Sequence, residues 1–135
     1  MNTLKTNGTK ILLVDDDTDF LVQNEFRFQA EGYAVRTATN MEIARKAFSE
    51  HNPDVVVLDL MMEEKDAGIV LSHHFRREKP SLPIVMVTGI TRETGMIIDS
   101  SNTEERSWLK ANKILPKPIR FEQLKREVEI LLAAR

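Results

Sequence analysis

The chain has 135 residues, with 19 lysines and arginines against 21 aspartates and glutamates, and a formal net charge of −2. This near balance predicts no general attraction to nucleic acid or to an anionic membrane. The length is typical of one domain with its own core. Because the sequence has no cysteine, disulfides, thiol catalysis and cysteine-ligated zinc are excluded.

No apolar run approaches the roughly 20 residues that a membrane-spanning helix requires. The first ten residues are polar and lack the apolar centre of a secretory signal. A cytoplasmic protein without a membrane anchor is therefore expected. Residues 1–8 are expected to form a flexible tail, and residues 9–135 a single domain.

Short apolar runs alternate along the chain with helical patterns. Runs of four or five apolar residues are typical of strands buried on both faces. The alternation predicts an α/β fold, in which a five-stranded parallel sheet is doubly wound, with helices on both faces. Strands are expected at about Lys10–Val14, Tyr33–Thr37, Val55–Asp59, Pro83–Val87 and Lys113–Leu115. Helices are expected from Asp17, Thr18 or Asp19 to about Glu31, from Thr39 or Asn40 to Glu50, and over Ala67–Glu78, Thr103–Ala111 and Arg120–Ala134.

The first predicted helix carries two apolar stripes. Leu21 and Phe28 share one side, while Val22, Phe26 and Ala30 recur at every fourth position on another. One face of a sheet cannot bury both stripes fully. The second stripe is therefore expected either to be partly buried in a seam between helices or to form an exposed surface for a partner.

Polar residues close four of the five predicted strands. Asp15 and Asp16 follow the first strand, Asp59 closes the third, Thr88 follows the fourth and Lys117 follows the fifth. Because the carboxyl ends of parallel strands meet at one edge of a sheet, where ligands bind, these five side chains are expected to converge on one small site.

Three clustered carboxylates need a proton or a cation. Two carboxylates about 4 Å apart repel by roughly 4 kcal/mol at an effective dielectric constant near 20. Oxygen-only ligands suit magnesium, which also binds phosphate oxygens. An aspartate could then act as a nucleophile toward a phosphoryl group and form an acyl phosphate. Lys117 and Thr88 could contact the phosphoryl oxygens.

Other kinds of site fit the acidic cluster less well. An EF-hand requires glycine and a terminal glutamate where Phe20 and Phe26 stand. A phosphatase of the haloacid-dehalogenase type uses Asp-x-Asp-x-Thr, whereas here Thr18 lies one position early and Asp19 is the fifth residue. A flavodoxin-like FMN carrier is disfavoured because three aspartates would repel its phosphate. Acidic residues also occur at solvated helix N-termini, where they favour the helix dipole.

Together, the four motifs resemble the receiver domain of two-component response regulators over about residues 9–134. They are Val14-Asp15-Asp16-Asp17, Val57-Leu58-Asp59-Leu60-Met61-Met62, Val87-Thr88-Gly89 and Lys117-Pro118. The resemblance implies a flavodoxin-like strand order of 2-1-3-4-5. It also implies a phosphorelay in which a sensor histidine kinase or a histidine phosphotransfer protein donates a phosphoryl group. The alternatives are the haloacid-dehalogenase-type phosphatase and a degenerate receiver that acts only as a binding module.

The resemblance also implies the partners. No direct contact with nucleic acid or a membrane is expected, and a homodimer is an open option. The sequence ends at Arg135, so output is expected to pass through contacts with an unknown protein, unless the sequence is part of a longer protein. The domain would catalyse its own phosphorylation and dephosphorylation, without the separate metabolic substrate of an enzyme.

By the same resemblance, Asp59 is the phosphoacceptor. Asp16 and Asp59 would bind Mg²⁺ directly, Asp15 would act mainly through a metal-bound water, and the backbone carbonyl of Met61 would complete the protein ligands. Thr88 would be the switching hydroxyl. Lys117 would be the cation that pairs with the phosphoryl group, and a cis peptide bond would precede Pro118.

Four features depart from the family pattern. Glu63 stands where a proline is usual, and the Asp-Gly before the third helix reads Asp66-Ala67-Gly68. Ile114 replaces a tyrosine or phenylalanine, and the stretch from Thr88 to Lys117 is longer than usual. These departures predict that any response passes through Thr88 and the segment after it, because Ile114 has no ring to rotate.

Overall fold

A computed structural model describes residues 8–62, 66–89 and 111–134, which form five strands and four helices. The strands are β1 Lys10–Val14, β2 Ala34–Ala38, β3 Val55–Asp59, β4 Ile84–Thr88 and β5 Lys113–Pro116. The helices are α1 Thr18–Ala30, α2 Met41–His51, α3 Ala67–Glu78 and α4 Phe121–Ala134. Each lies within two residues of its predicted bounds. The helix predicted from residue 103 and the tail up to residue 7 fall outside the described ranges.

All strand pairs are parallel, and the sheet order is β2-β1-β3-β4-β5. This confirms the predicted doubly wound fold. The register places Val14 beside Leu58, Asp59 beside Val87, and Thr88 beside Pro116. The carboxyl ends of β1, β3, β4 and β5 therefore lie side by side at one edge.

Successive side chains of the central strands point to opposite faces of the sheet and build two separate cores. One core packs under α2 and α3, and the other packs under α1 and α4. The first includes Leu12, Val14, Val56, Leu58, Ile84, Met86, Phe48, Leu71 and Phe75. The second includes Ile11, Leu13, Val55, Val57, Val85, Val87, Leu21, Phe28, Leu124 and Val128. Burial on both faces explains why these strands are apolar throughout.

The helix α1 begins at the acidic edge. The Asp17 side chain caps it, accepting hydrogen bonds from the backbone N–H groups of Asp19 and Phe20 at 3.1 and 3.2 Å. The helix cap is therefore Asp17, the first of the three residues at which this helix was predicted to begin. An N-cap of this type stabilises a helix by about 1 kcal/mol.

The second apolar stripe of α1 lies in solvent. Val22 is 63% exposed and Phe26 is 72% exposed, and Ala30 is also exposed. The expectation of partial burial in a helix seam is therefore wrong, and the stripe is an exposed surface. The stripe is exposed because the opposite side of α1 faces the core. Asn24 lies on that side and is buried, since its side-chain amide donates a hydrogen bond to the Phe20 carbonyl at 2.8 Å.

Glycine is required at the start of α3, where the helix crosses the end of β3. A Cβ added to Gly68 would lie 2.5 Å from the Asp59 carbonyl oxygen and 2.5 Å from the Leu60 Cα. The Gly68 N–H also donates to the Leu60 carbonyl at 2.8 Å. The unusual Asp66-Ala67-Gly68 sequence thus puts its glycine where the backbones meet.

We expect Gly68→Ala to destabilise the fold by about 1 to 3 kcal/mol, since overpacking against backbone atoms cannot be relieved by a rotamer change. Chemical denaturation measures the change. Gly89→Ala is the matched control, because no atom of the described residues lies within 4 Å of a Cβ added at Gly89. Equal free energies of unfolding for Gly68→Ala and the parent protein would contradict the close approach.

Candidate functional site

Asp15 is the most enclosed residue of the acidic edge, with no exposed surface. It follows β1, and its own N–H donates to the Ala38 carbonyl at 3.0 Å. Its Oδ1 accepts a hydrogen bond from the Asp17 N–H at 2.9 Å, and its Oδ2 accepts one from Lys117 Nζ at 2.7 Å. Both carboxylate oxygens are therefore held by the protein.

Lys117 crosses from the end of β5 to the ends of β1 and β3. Its backbone N–H donates to the Thr88 carbonyl at 2.8 Å, which fixes the loop against β4. The peptide bond from Lys117 to Pro118 is cis, as expected. The ammonium lies 3.8 Å from Asp59 Oδ2 and closer, at 2.7 Å, to Asp15 Oδ2. It therefore bridges two carboxylates.

Asp59 is the last residue of β3 and is only 4% exposed. Its Oδ1 accepts a hydrogen bond from the Met61 N–H at 3.3 Å. Burial, followed by the charge of Asp15, raises the pKa of Asp59 to about 7, although Lys117 and the Met61 N–H act in the opposite direction. Without a cation, Asp59 is therefore partly protonated near neutral pH.

The charge of Lys117 depends on its burial and on its acidic neighbours. Burial alone would lower the pKa of Lys117, but its hydrogen bond to Asp15 and the charges of Asp59 and Asp15 raise the pKa overall. Lys117 therefore stays charged across the neutral range. One ammonium faces three clustered carboxylates, which leaves the site with an excess of negative charge.

This excess fits a divalent cation. Oxygen atoms of Asp15, Asp16 and Asp59 all lie within 4.8 Å of one another. Asp16 is exposed while the other two are buried, so the cluster is open to solvent on one side. Carboxylate oxygens with room for water are the ligands that Mg²⁺ prefers. The chemistry of the donor set thus suits magnesium.

The remaining predicted residues lie at the same edge. Thr88 is the last residue of β4, one strand from Asp59, and is 4% exposed. Met61 lies two residues beyond Asp59 and is partly buried against the core under α2 and α3. Ile114 is paired with Met86 and is partly buried in that core. The long segment after Thr88 falls outside the described residues from position 90 to position 110.

Phe20 was not among the site residues predicted from the sequence. Its ring centroid lies 4.9 Å from Lys117 Nζ, so an aromatic face covers the ammonium. The available signal was its position three residues after Asp17, in the first turn of a helix that starts at the acidic edge.

Within the described ranges, no helix has both the length and the apolar character needed to cross a bilayer. A family model described as "Response regulator receiver domain" matches residues 11–129. Over 89 residues, the chain is 34% identical to the alkaline phosphatase synthesis transcriptional regulatory protein PhoP of Bacillus subtilis (strain 168), covering 66% of this chain and 37% of that protein.

Two solved structures share the fold over almost the whole chain. One is a CheY-like response regulator receiver domain protein from Methanospirillum hungatei JF-1, with a TM-score of 0.80, 20% identity, and coverage of 95% of this chain and 96% of that chain. The other is the response regulator protein TrrA from Thermotoga maritima in complex with Mg(2+)-BeF, with a TM-score of 0.71, 30% identity, and coverage of 91% and 98%.

The chain spans between 31% and 50% of the length of the first relatives it matches, which are transcriptional regulators. The matched region contains every described strand except the first residue of β1, together with the acidic edge and Lys117. The chain therefore belongs to the family of response regulator receiver domains.

Proposed function

We propose that Asp59 accepts a phosphoryl group from the phosphohistidine of a sensor histidine kinase or a histidine phosphotransfer protein. The observation that carries this proposal is the setting of Asp59. It is a buried carboxylate at the end of β3, with a bridging ammonium 3.8 Å away and two further carboxylates that favour a cation beside it.

In the transfer step, a carboxylate oxygen of Asp59 attacks phosphorus while the bond from phosphorus to the histidine nitrogen breaks. Lys117 donates to a phosphoryl oxygen, and its backbone anchor at Thr88 holds it in reach. Thr88, the last residue of β4, would supply the switching hydroxyl. Bound Mg²⁺ would neutralise the charge of the phosphoryl oxygens.

Asp16 and Asp59 would hold the metal directly, together with the Met61 carbonyl. Asp15, whose two oxygens already bind Asp17 and Lys117, would act mainly through a metal-bound water. In this arrangement the chain catalyses its own phosphorylation and dephosphorylation. The family assignment removes the haloacid-dehalogenase-type phosphatase and the FMN carrier as alternatives.

We also propose that the exposed stripe formed by Val22, Phe26 and Ala30 is part of the surface that meets the phosphate donor. It lies on the helix that starts at the acidic edge, and two of its side chains are large and apolar. Of the two, Phe26 is of a type that is enriched in protein interfaces. A cytoplasmic location, an output partner and a homodimer stay predictions.

The direct test is intact mass after incubation with a small acyl-phosphate donor, with and without Mg²⁺. The proposal expects one added phosphoryl group that requires Mg²⁺, and none in Asp59→Asn. Undiminished labelling of Asp59→Asn would overturn the assignment. Absence of any label on the parent protein would favour a degenerate receiver that acts only as a binding module.

Removing Asp16 should weaken magnesium binding by about tenfold or more, because one of the few charged ligands is lost. Titration calorimetry of Asp16→Ala at a fixed pH measures this. Asp19→Ala, which removes an exposed acid from the first turn of α1, is the control. An unchanged affinity in Asp16→Ala would mean that this residue does not bind the metal.

The phosphoryl group should be lost more quickly from Met61→Asn than from the parent protein. Hydrolysis requires a water aligned with the bond from Asp59 to phosphorus, and the apolar Met61 side chain can shield but not orient it. We expect about a tenfold faster loss, or roughly 1.4 kcal/mol in the barrier. Single-turnover decay of the purified phosphoprotein measures it, and equal decay rates would show that Met61 does not control the water.

A further inference from the structure

The Lys117 ammonium is partly enclosed by the ring of Phe20, a residue that the proposed phosphoryl transfer does not otherwise use. Lys117 Nζ meets Asp15 at 2.7 Å and Asp59 at 3.8 Å, and the ring centroid of Phe20 lies 4.9 Å from it. The side chain of Lys117 is only 21% exposed. Two carboxylates and one aromatic face therefore define where the ammonium can lie.

Phe20 is itself held by its backbone. Its N–H donates to the Asp17 side chain at 3.2 Å, and its carbonyl accepts from the buried amide of Asn24 at 2.8 Å. Its ring is partly buried against the core under α1 and α4. The ring thus belongs to the first turn of α1, which these hydrogen bonds and the core hold in place. The Lys117 ammonium, in contrast, lies at the end of a flexible four-carbon side chain.

An aromatic face attracts an ammonium through its quadrupole, and the attraction grows when water is excluded. A lysine side chain also loses much rotamer freedom when it is held in one position. A fixed ring reduces the number of positions that the ammonium samples. The ring therefore favours the position between Asp15 and Asp59 over positions in solvent.

We propose that Phe20 is a positioning residue for phosphoryl transfer, whose ring holds the Lys117 ammonium over the gap between Asp15 and Asp59. This inference rests on the proposed role of Lys117 as the cation that pairs with the phosphoryl group. Phe20 does not contact the reacting atoms in this arrangement. It acts through Lys117, and its aromatic face matters more than its apolar volume.

The test compares Phe20→Leu, which keeps apolar bulk without a ring, with Phe20→Tyr, which keeps the ring. Phe121→Leu is the packing control. Phe121 is another partly buried ring beside the same core, and the cation over it is Arg27, at 4.7 Å. All variants are made in the full chain, and thermal unfolding shows whether each one folds.

The first readout is the NMR resonance of the Lys117 ε-methylene protons, identified by its absence in Lys117→Met. The ring should shift this resonance upfield in the parent protein and in Phe20→Tyr, and the shift should vanish in Phe20→Leu. Phe121→Leu should leave it in place. A resonance at the same position in Phe20→Leu and the parent protein would overturn the proposal.

The second readout is the rate of phosphorylation by a small acyl-phosphate donor at saturating Mg²⁺. Phe20→Leu should lower the maximal rate about three- to tenfold without changing the donor concentration at half-saturation, and Phe20→Tyr should restore it. Equal losses in Phe20→Leu and Phe20→Tyr would indicate simple packing and overturn the proposal. A parent protein without phosphorylation would overturn it together with the proposed function, while the resonance would still report the ring contact.

Discussion

Lys117→Met should slow phosphorylation by about 100-fold or more, since loss of one positioned donor to a charged transition state has an effect of that size. The variant keeps an unbranched apolar side chain, one heavy atom shorter than lysine, but removes the ammonium. Asp15 and Asp59 then face each other without the cation that bridges them at 2.7 and 3.8 Å. The rate is measured with a small acyl-phosphate donor at saturating Mg²⁺.

The matched control is Lys113→Met, at the exposed start of the same strand. It removes one positive charge from β5 without touching the acidic edge, and its rate should stay within about twofold of the parent rate. If Lys117→Met retained the parent rate under the same conditions, the ammonium would have no part in the transfer.

The second large effect concerns the stability of the protein in the absence of metal. The folded protein raises the pKa of Asp59 from 3.8 to about 7, so it binds more protons than the unfolded chain between these values. Stability contributed by the protonated form is fully present below pH 3.8 and is lost as the pH rises through about 7. Ionised Asp59 therefore destabilises the metal-free fold at alkaline pH.

Asp59→Asn removes this penalty. In EDTA, we expect the variant to gain about 1 to 3 kcal/mol of stability relative to the parent protein when the pH rises from 5 to 8, since each pKa unit corresponds to about 1.4 kcal/mol. Urea denaturation at the two pH values measures the gain. Saturating Mg²⁺ should reduce it, because the metal stabilises the ionised carboxylate. A gain of zero in EDTA would show that Asp59 ionises normally.

The sheet could be predicted from the sequence because its signals are local. Runs such as Val55–Leu58 are too short for a free helix and too apolar for one exposed face, so burial on both faces was the remaining option. Polar residues that end such strands must then share one edge. The convergence of Asp15, Asp59 and Lys117 followed from this rule, and the structure confirms that it occurs.

Other features depend on contacts that no local pattern specifies. Lys117 lies closer to Asp15 than to Asp59, a preference that depends on the rotamer of one long side chain. The exposure of Val22 and Phe26 depends on the orientation of α1 about its own axis, that is, on which of its sides faces the sheet. Hydrophobicity alone would have turned Asn24 outward, but its hydrogen bond to the Phe20 carbonyl allows it to face the core.

The need for glycine at position 68 also could not be predicted from the sequence. The predicted start of the third helix at Ala67 is confirmed, but the Asp66-Ala67-Gly68 sequence departs from the family pattern and does not indicate which residue meets the end of β3. Only the distance of 2.5 Å between an added Cβ and the Asp59 carbonyl shows which position must lack a side chain.

The most direct measurement of the central claim is the location of the phosphoryl group. After phosphorylation with a small acyl-phosphate donor and Mg²⁺, borohydride reduces an aspartyl phosphate to homoserine, which peptide mass spectrometry can place in the sequence. Homoserine at position 59, absent when Mg²⁺ is omitted, is the expected result. Homoserine at position 15 or 16 instead, or the same yield at position 59 in EDTA, would contradict a magnesium-dependent phosphoacceptor at Asp59.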